Sequence, residues 1–183
     1  MSALALSRQH RERLGLKGSR AAQWLAANGI DSPLAPNTWT EAPAASATQA
    51  LLVARLGTSE FFLEDAATGT TLTRIAPSLQ EHAAGVYPVL REDWAFVLCG
   101  EGLHEVLAQV CNVNFAALKL DARPLIMTLM VGVAVLIVPQ SASGDPGAAE
   151  YRIWCDPTFG PYLLESLGEV VSECGGSYTG VSK

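Results

Sequence analysis

The sequence uses one pattern twice. Residues 14–30 read LGLKGSRAAQWLAANGI and residues 97–113 read VLCGEGLHEVLAQVCNV. In each, a short apolar stretch meets a glycine, Gly18 or Gly100, and an amphipathic stretch follows. A paired apolar step, Trp24-Leu25 or Val106-Leu107, falls six and seven residues after that glycine. Each helix-like stretch is later followed by two strand-like runs meeting at a glycine: LLVARLG-TSEFFLE around Gly57 and MTLMVG-VAVLIV around Gly132. A strand–helix–strand–strand unit used twice predicts an α+β class, with two pseudo-repeated units forming one body.

Length and composition bound this reading. At 183 residues the chain is expected to form a single domain, 1–183, with internal halves at about 10–70 and 87–172 and flexible ends at 1–9 and 175–183. Net charge is −6 with three lysines, Lys17, Lys119 and Lys183. That excludes a general nucleic-acid surface, which needs clustered cations. Charged residues make up 16% of the chain, fewer than the about 25% of a typical soluble protein. So sparse a charge set predicts that a partner covers part of the surface, although alanine, which occurs 27 times, inflates the apolar count. Four cysteines with no C-x-x-C pair and no zinc-ligand spacing, after an N-terminus unlike an export signal, predict a cytoplasmic protein, with Cys99 and Cys111 as packed thiols.

Along the chain, residues 13–17 read as a strand. Ser19 reads as the N-cap of a helix that Gly29 ends. Three prolines and a run of small residues in 32–48 predict a loop without regular structure. A hairpin follows over 50–64, then a short helix over 77–84 stopped by Gly85. In the second half, Leu103, Val106, Leu107 and Val110 form an i, i+3, i+4, i+7 stripe. The uncharged segment 124–139, PLIMTLMVGVAVLIVP, is shorter than the about 20 residues of a membrane span. Its β-branched second half predicts two buried strands turning near Gly132. After a polar loop over 140–150 comes a last strand over 151–155. The final helix runs to about Cys174 with Phe159, Tyr162, Leu163, Ser166, Leu167 and Val170 on one face.

The usual chemical signatures are missing. No G-x-G-x-x-G follows a strand, and there is no P-loop and no G-x-S-x-G elbow. Cys99 and His104 are too far apart in character to form a nucleophile pair, because an apolar strand gives the thiol no reason to ionise. The three histidines share no metal-like spacing. The acid pairs Glu64-Asp65 and Glu92-Asp93 lie at strand ends, and Asp156 is placed to cap a turn. The sequence therefore predicts no catalytic, cofactor-binding or metal residue, and no polar pocket with strongly shifted groups. The candidate partner-interface residues are Arg55, Glu60, Arg91, Arg152, Asp156 and Tyr162.

Five blocks carry a resemblance: residues 15–37 (GLKGSRAAQWLAANGI…PLAPN), 53–65 (VARLGTSEFFLED), 87–100 (YPVLREDWAFVLCG), 128–138 (TLMVGVAVLIV) and 151–167 (YRIWCDPTFGPYLLESL). In this order they resemble the gamma subunit of heterotetrameric sarcosine oxidase, a family similar to the folate-binding domain of the glycine-cleavage aminomethyltransferase. The resemblance implies a structural gamma chain assembled with alpha, beta and delta subunits. The whole complex would demethylate sarcosine oxidatively to glycine. FAD, FMN, NAD, tetrahydrofolate and zinc are then expected in the partner subunits and none in this chain. Related gamma chains also belong to other secondary-amine oxidases and dehydrogenases. Aminomethyltransferases carry a catalytic aspartate before the first strand, where this sequence reads RQHRERLGLKG and has no aspartate before Asp31. A stand-alone folate-binding or aminomethyl-transferring protein is the alternative reading.

Overall fold

Leu103, Val106, Leu107 and Val110, the stripe that the sequence spaces for one helical face, are all buried along a single helix, Leu103–Val110. That helix belongs to a computed structural model that describes residues 3–42, 50–80, 84–142 and 145–178. The elements are β1 (Ala5–Gln9), β2 (Arg13–Lys17), α1 (Ala21–Ala27), β3 (Thr38–Ala42), β4 (Leu51–Arg55), β5 (Glu60–Glu64), α2 (Thr71–Gln80), β6 (Tyr87–Val89), β7 (Trp94–Cys99), α3 (Leu103–Val110), β8 (Ile126–Met130), β9 (Val133–Ala142), β10 (Asp145–Cys155), α4 (Gly160–Glu173) and β11 (Ser177–Tyr178). Two compact units result: Met1–Gln9 with Asp93–Lys183, and His10–Glu92.

The unit His10–Glu92 holds a five-stranded antiparallel sheet in the order β6-β2-β5-β4-β3. Its core takes Leu16, Leu51, Val53, Phe61 and Leu63 from one sheet face, Ala21 and Leu25 from α1, and Leu72, Ile75 and Leu79 from α2. Both helices therefore cover the same face, as strict strand alternation demands. On the opposite face Leu52, Ala54 and Phe62 are buried as well.

The other unit holds a six-stranded sheet in the order β11-β1-β7-β10-β9-β8, antiparallel except where β1 meets β11. Its core joins Leu6, Phe96, Leu98, Ile137, Tyr151 and Ile153 from one face to α3 and to Leu163, Leu164, Leu167 and Val171 of α4. Read from β1, the sheet order β1-β7-β10-β9-β8 repeats β6-β2-β5-β4-β3. The duplication is thus one strand longer than the sequence predicts: strand, helix, three antiparallel strands, helix.

Several expectations are corrected. The N-terminal segment is no frayed arm, because β1 pairs β7 over five residues, from Ala5↔Cys99 to Gln9↔Ala95. The segment 87–89 belongs to the first unit as β6, not to the second half. The proline-rich loop holds β3, whose Trp39 is buried. The predicted loop's residues 43–48 lie outside the described residues. With β3 present, the Gly57 hairpin corresponds to β9–β10, not to the Gly132 hairpin. Helix α2 begins at Thr71 rather than at 77 and holds Pro77 inside it; residues 81–83 of the predicted 77–84 helix also lie outside the described residues. Ser19 does not cap α1, whose N-cap is Arg20. The polar loop is largely strand, with β9 running to Ala142 and β10 starting at Asp145. The α4 stripe is rotated: Gly160, Leu163, Leu164, Leu167, Gly168 and Val171 are buried, whereas Phe159 and Tyr162 are exposed. At the C-terminal end, β11 pairs β1, and residues 179–183 lie outside the described residues.

Candidate functional site

Strand β2 starts at Arg13, and the three residues before it, His10, Arg11 and Glu12, form one wall of a cleft of about 320 Å³ with Arg13 itself. Ala66, Ala67 and Gly69, from the loop between β5 and α2, form the other. One wall is polar and the other nearly without side chains, so the opening has room within the range of small-ligand sites.

Two acidic residues behind the cleft shape it. Glu64, at the end of β5, accepts from Arg13 Nε at 2.7 Å, and both side chains are buried. Asp65 turns the other way. Its carboxylate accepts from the backbone N–H of Ala66 at 3.2 Å and of Leu72 at 3.0 Å. Leu72 lies in the first turn of α2, so the buried acid satisfies a donor that a helix end leaves over. Asp65 in turn donates its N–H to the Glu12 carbonyl at 2.9 Å, tying the two walls together. The sequence signal for this arrangement is the D-A-A-T-G run from Asp65 to Gly69, which by pattern alone reads as a turn or a strand edge.

The six candidate interface residues do not gather at one place. Arg91 and Glu60, 31 positions apart, form an ion pair at 3.1 Å with the Arg91 guanidinium over the Phe62 ring. Arg152 faces Glu150 at 3.9 Å. Arg55 donates to four backbone carbonyls, those of Pro33, Leu34, Gly57 and Thr58, and so pins two loops. Asp156 caps the short turn Pro157–Phe159, accepting from the Thr158 N–H at 2.8 Å. Hydrogen bonds from Thr158 hold its carboxyl below the usual range. Tyr162 is exposed, and its hydroxyl donates to the Val131 carbonyl at 3.4 Å.

Elsewhere, burial disfavours the charged forms of three reactive groups, Tyr151, Cys155 and Cys99. His104 Nε2 meets the Tyr151 hydroxyl at 3.0 Å, not the Cys99 thiol. Burial pushes the Tyr151 phenol up to about 12. Burial, with Asp93 and Asp156 nearby, pushes Cys155 up to about 11, and burial with the Glu150 charge raises Cys99. A neutral thiol is a poor nucleophile. All four cysteines are free thiols. Among the described residues no group of three or more His, Cys, Asp or Glu side chains is placed to hold a metal ion, and no helix is long and apolar enough to cross a membrane.

Sheets of this order, each with two helices on one face, make this an α+β fold. The crystal structure of glycine cleavage system aminomethyltransferase T from Bartonella henselae is similar with a TM-score of 0.72 and 16% identity, over 98% of this chain and 48% of that one. This chain therefore spans about half the length of that protein. A chain of heterotetrameric sarcosine oxidase from Corynebacterium sp. U-96, in complex with pyrrole 2-carboxylate, is similar with a TM-score of 0.69 and 21% identity, over 95% of this chain and 86% of that one. At such identities the likeness establishes the fold. No protein-family model and no curated protein sequence matches the chain.

Proposed function

We propose that this chain is the structural, non-catalytic gamma subunit of a heterotetrameric sarcosine oxidase, assembled with alpha, beta and delta chains that carry the flavin, NAD, folate and zinc sites. The observation that carries the reading is reciprocal coverage. The sarcosine oxidase chain and this one match over 86% and 95% of their lengths, with a TM-score of 0.69. The sequence before β2 adds support, since it has no aspartate where the resemblance implies a catalytic one. Co-expression with alpha and beta chains encoded beside it tests the reading. The expected result is co-purification and a gain in soluble yield. A monodisperse chain that gains nothing from those partners overturns it.

The cleft beside β2 favours a second reading, a folate-binding or aminomethyl-transferring protein acting alone, because it lies at the stretch where the resemblance implies catalysis. Its Glu12 is exposed and its Arg13 is already committed to Glu64, so the cleft supplies recognition groups and no buried general base. Calorimetric titration with tetrahydrofolate decides this reading; absence of both heat and a thermal shift ends it.

A further inference from the structure

Helix α4 buries Leu163, Leu164, Leu167 and Val171 and turns Tyr162, Glu165, Glu169 and Glu173 outward. At its entrance stand two large aromatic residues, Phe159 and Tyr162, 51% and 50% exposed. Behind them the three glutamates follow at i, i+4 and i+8. The helix, GPYLLESLGEVVSE, contains no lysine or arginine, and among the described residues none of the three glutamates has an ion-pair partner.

This arrangement works against the helix's own stability. Like charges four residues apart repel. Glu169 and Glu173 also lie toward the end of α4 where the helix dipole is negative and cations are favoured. Helix α3 beside it, joined by the Gln109 Nε2 to Cys174 Sγ contact at 3.4 Å, likewise has no lysine or arginine and exposes Glu105. A local rule broken without compensation among the described residues points to compensation from beyond them.

We infer that this side of α4 docks a basic segment of another polypeptide, with Phe159 and Tyr162 as apolar anchors and Glu165, Glu169 and Glu173 selecting cationic side chains. Exposed aromatic anchors call for apolar contact area, which a free cation does not offer, and the unpartnered carboxylates set the sign of the partner's charge. Nucleic acid has the wrong sign. A second copy of this chain brings net charge −6 and, across a twofold axis, the same three glutamates. The inference concerns the partner's chemistry and does not require that partner to be an oxidase chain.

The test places the photo-crosslinker p-benzoylphenylalanine at position 162 of the full chain, expressed in its own host, and sequences the cross-linked segment. The expected adduct joins position 162 to a segment rich in lysine and arginine. Its yield falls about tenfold when Glu165→Gln, Glu169→Gln and Glu173→Gln are combined. The triple variant itself melts at or above the parent temperature, because repulsion within α4 is relieved. No adduct, an adduct with a second copy, or an adduct indifferent to the triple substitution overturns the inference. A glutamate-dependent adduct with a basic chain unrelated to flavin oxidases upholds this face and removes the assembly proposed above. An oxidase chain captured independently of the glutamates does the reverse.

Discussion

Gly18 and Gly100 hold the same place in the two units, each at the turn from a strand into a helix with φ of +132° and +100°. A Cβ on Gly18 would stand against the Gly85 carbonyl oxygen, and one on Gly100 against the Ala3 carbonyl oxygen. Gly85 leads into β6 and Ala3 into β1, the strands that occupy matching positions in the two sheet orders. The duplication thus extends to the backbone that crowds each glycine. Gly18→Ala and Gly100→Ala each combine a disfavoured φ with a backbone clash and are expected to cost about 2–4 kcal/mol. Urea denaturation of each variant reads this as a lower midpoint. A variant that keeps the parent's midpoint contradicts the close approach.

The Arg13–Glu64 pair, with side chains 7% and 2% exposed, is expected to be far costlier to break than to replace. Arg13→Met takes from the buried Glu64 carboxylate its 2.7 Å partner, and Glu64→Leu takes the same contact from the buried Arg13 guanidinium, at up to about 3–5 kcal/mol each. The double variant leaves neither charge and should be more stable than either single one. A double variant whose denaturation midpoint equals the sum of the two losses shows that the charges are not coupled.

What the sequence revealed follows from what each element rests on. Strand β2 and helix α3 were legible because their periodicity and their burial coincide. Strand β3 was not, because TWTEA is short and is flanked by three prolines, Pro33 and Pro36 before it and Pro43 after it. It is set by pairing with β4, a non-local contact that no local pattern records. Missing it displaced the hairpin correspondence by one strand. The Phe159–Tyr162 face was misread for another reason: apolar spacing marks a helical face but does not say whether it is covered by this chain. The cleft rests on Asp65, Glu64 and Arg13, and the 51-residue separation of the last two hides their contact from any window.

Tyr151 should make the fold sensitive to alkali. Burial raises its phenol from 10.0 to about 12, so the fold favours the neutral form. The stability this gives is present in full below the unfolded pKa and drains as pH rises through about 12. Tyr151→Phe should flatten the loss between about pH 10 and 12 and cost about 1 kcal/mol near neutrality, because the bond to His104 disappears. Denaturation curves at about pH 8 and about pH 11 separate the outcomes. An equally steep alkaline loss in the variant places its origin elsewhere.

Gly69 and Asp65 should behave as one structural device. The buried Asp65 carboxylate reaches the Leu72 N–H at 3.0 Å only because Gly69 has no side chain, since a Cβ there would stand on Asp65 Oδ1. Gly69→Ala must then push the carboxylate off the start of α2, the same loss that Asp65→Ala produces directly. Each is expected to cost about 1–3 kcal/mol. Because both remove one interaction, the double variant should lose markedly less than the two costs added, with a coupling of about 1 kcal/mol or more. Hydrogen exchange gives an independent reading: the Leu72 amide should lose protection in either single variant. Strict additivity in the cycle, with Leu72 protected throughout, shows that Asp65 does not hold α2.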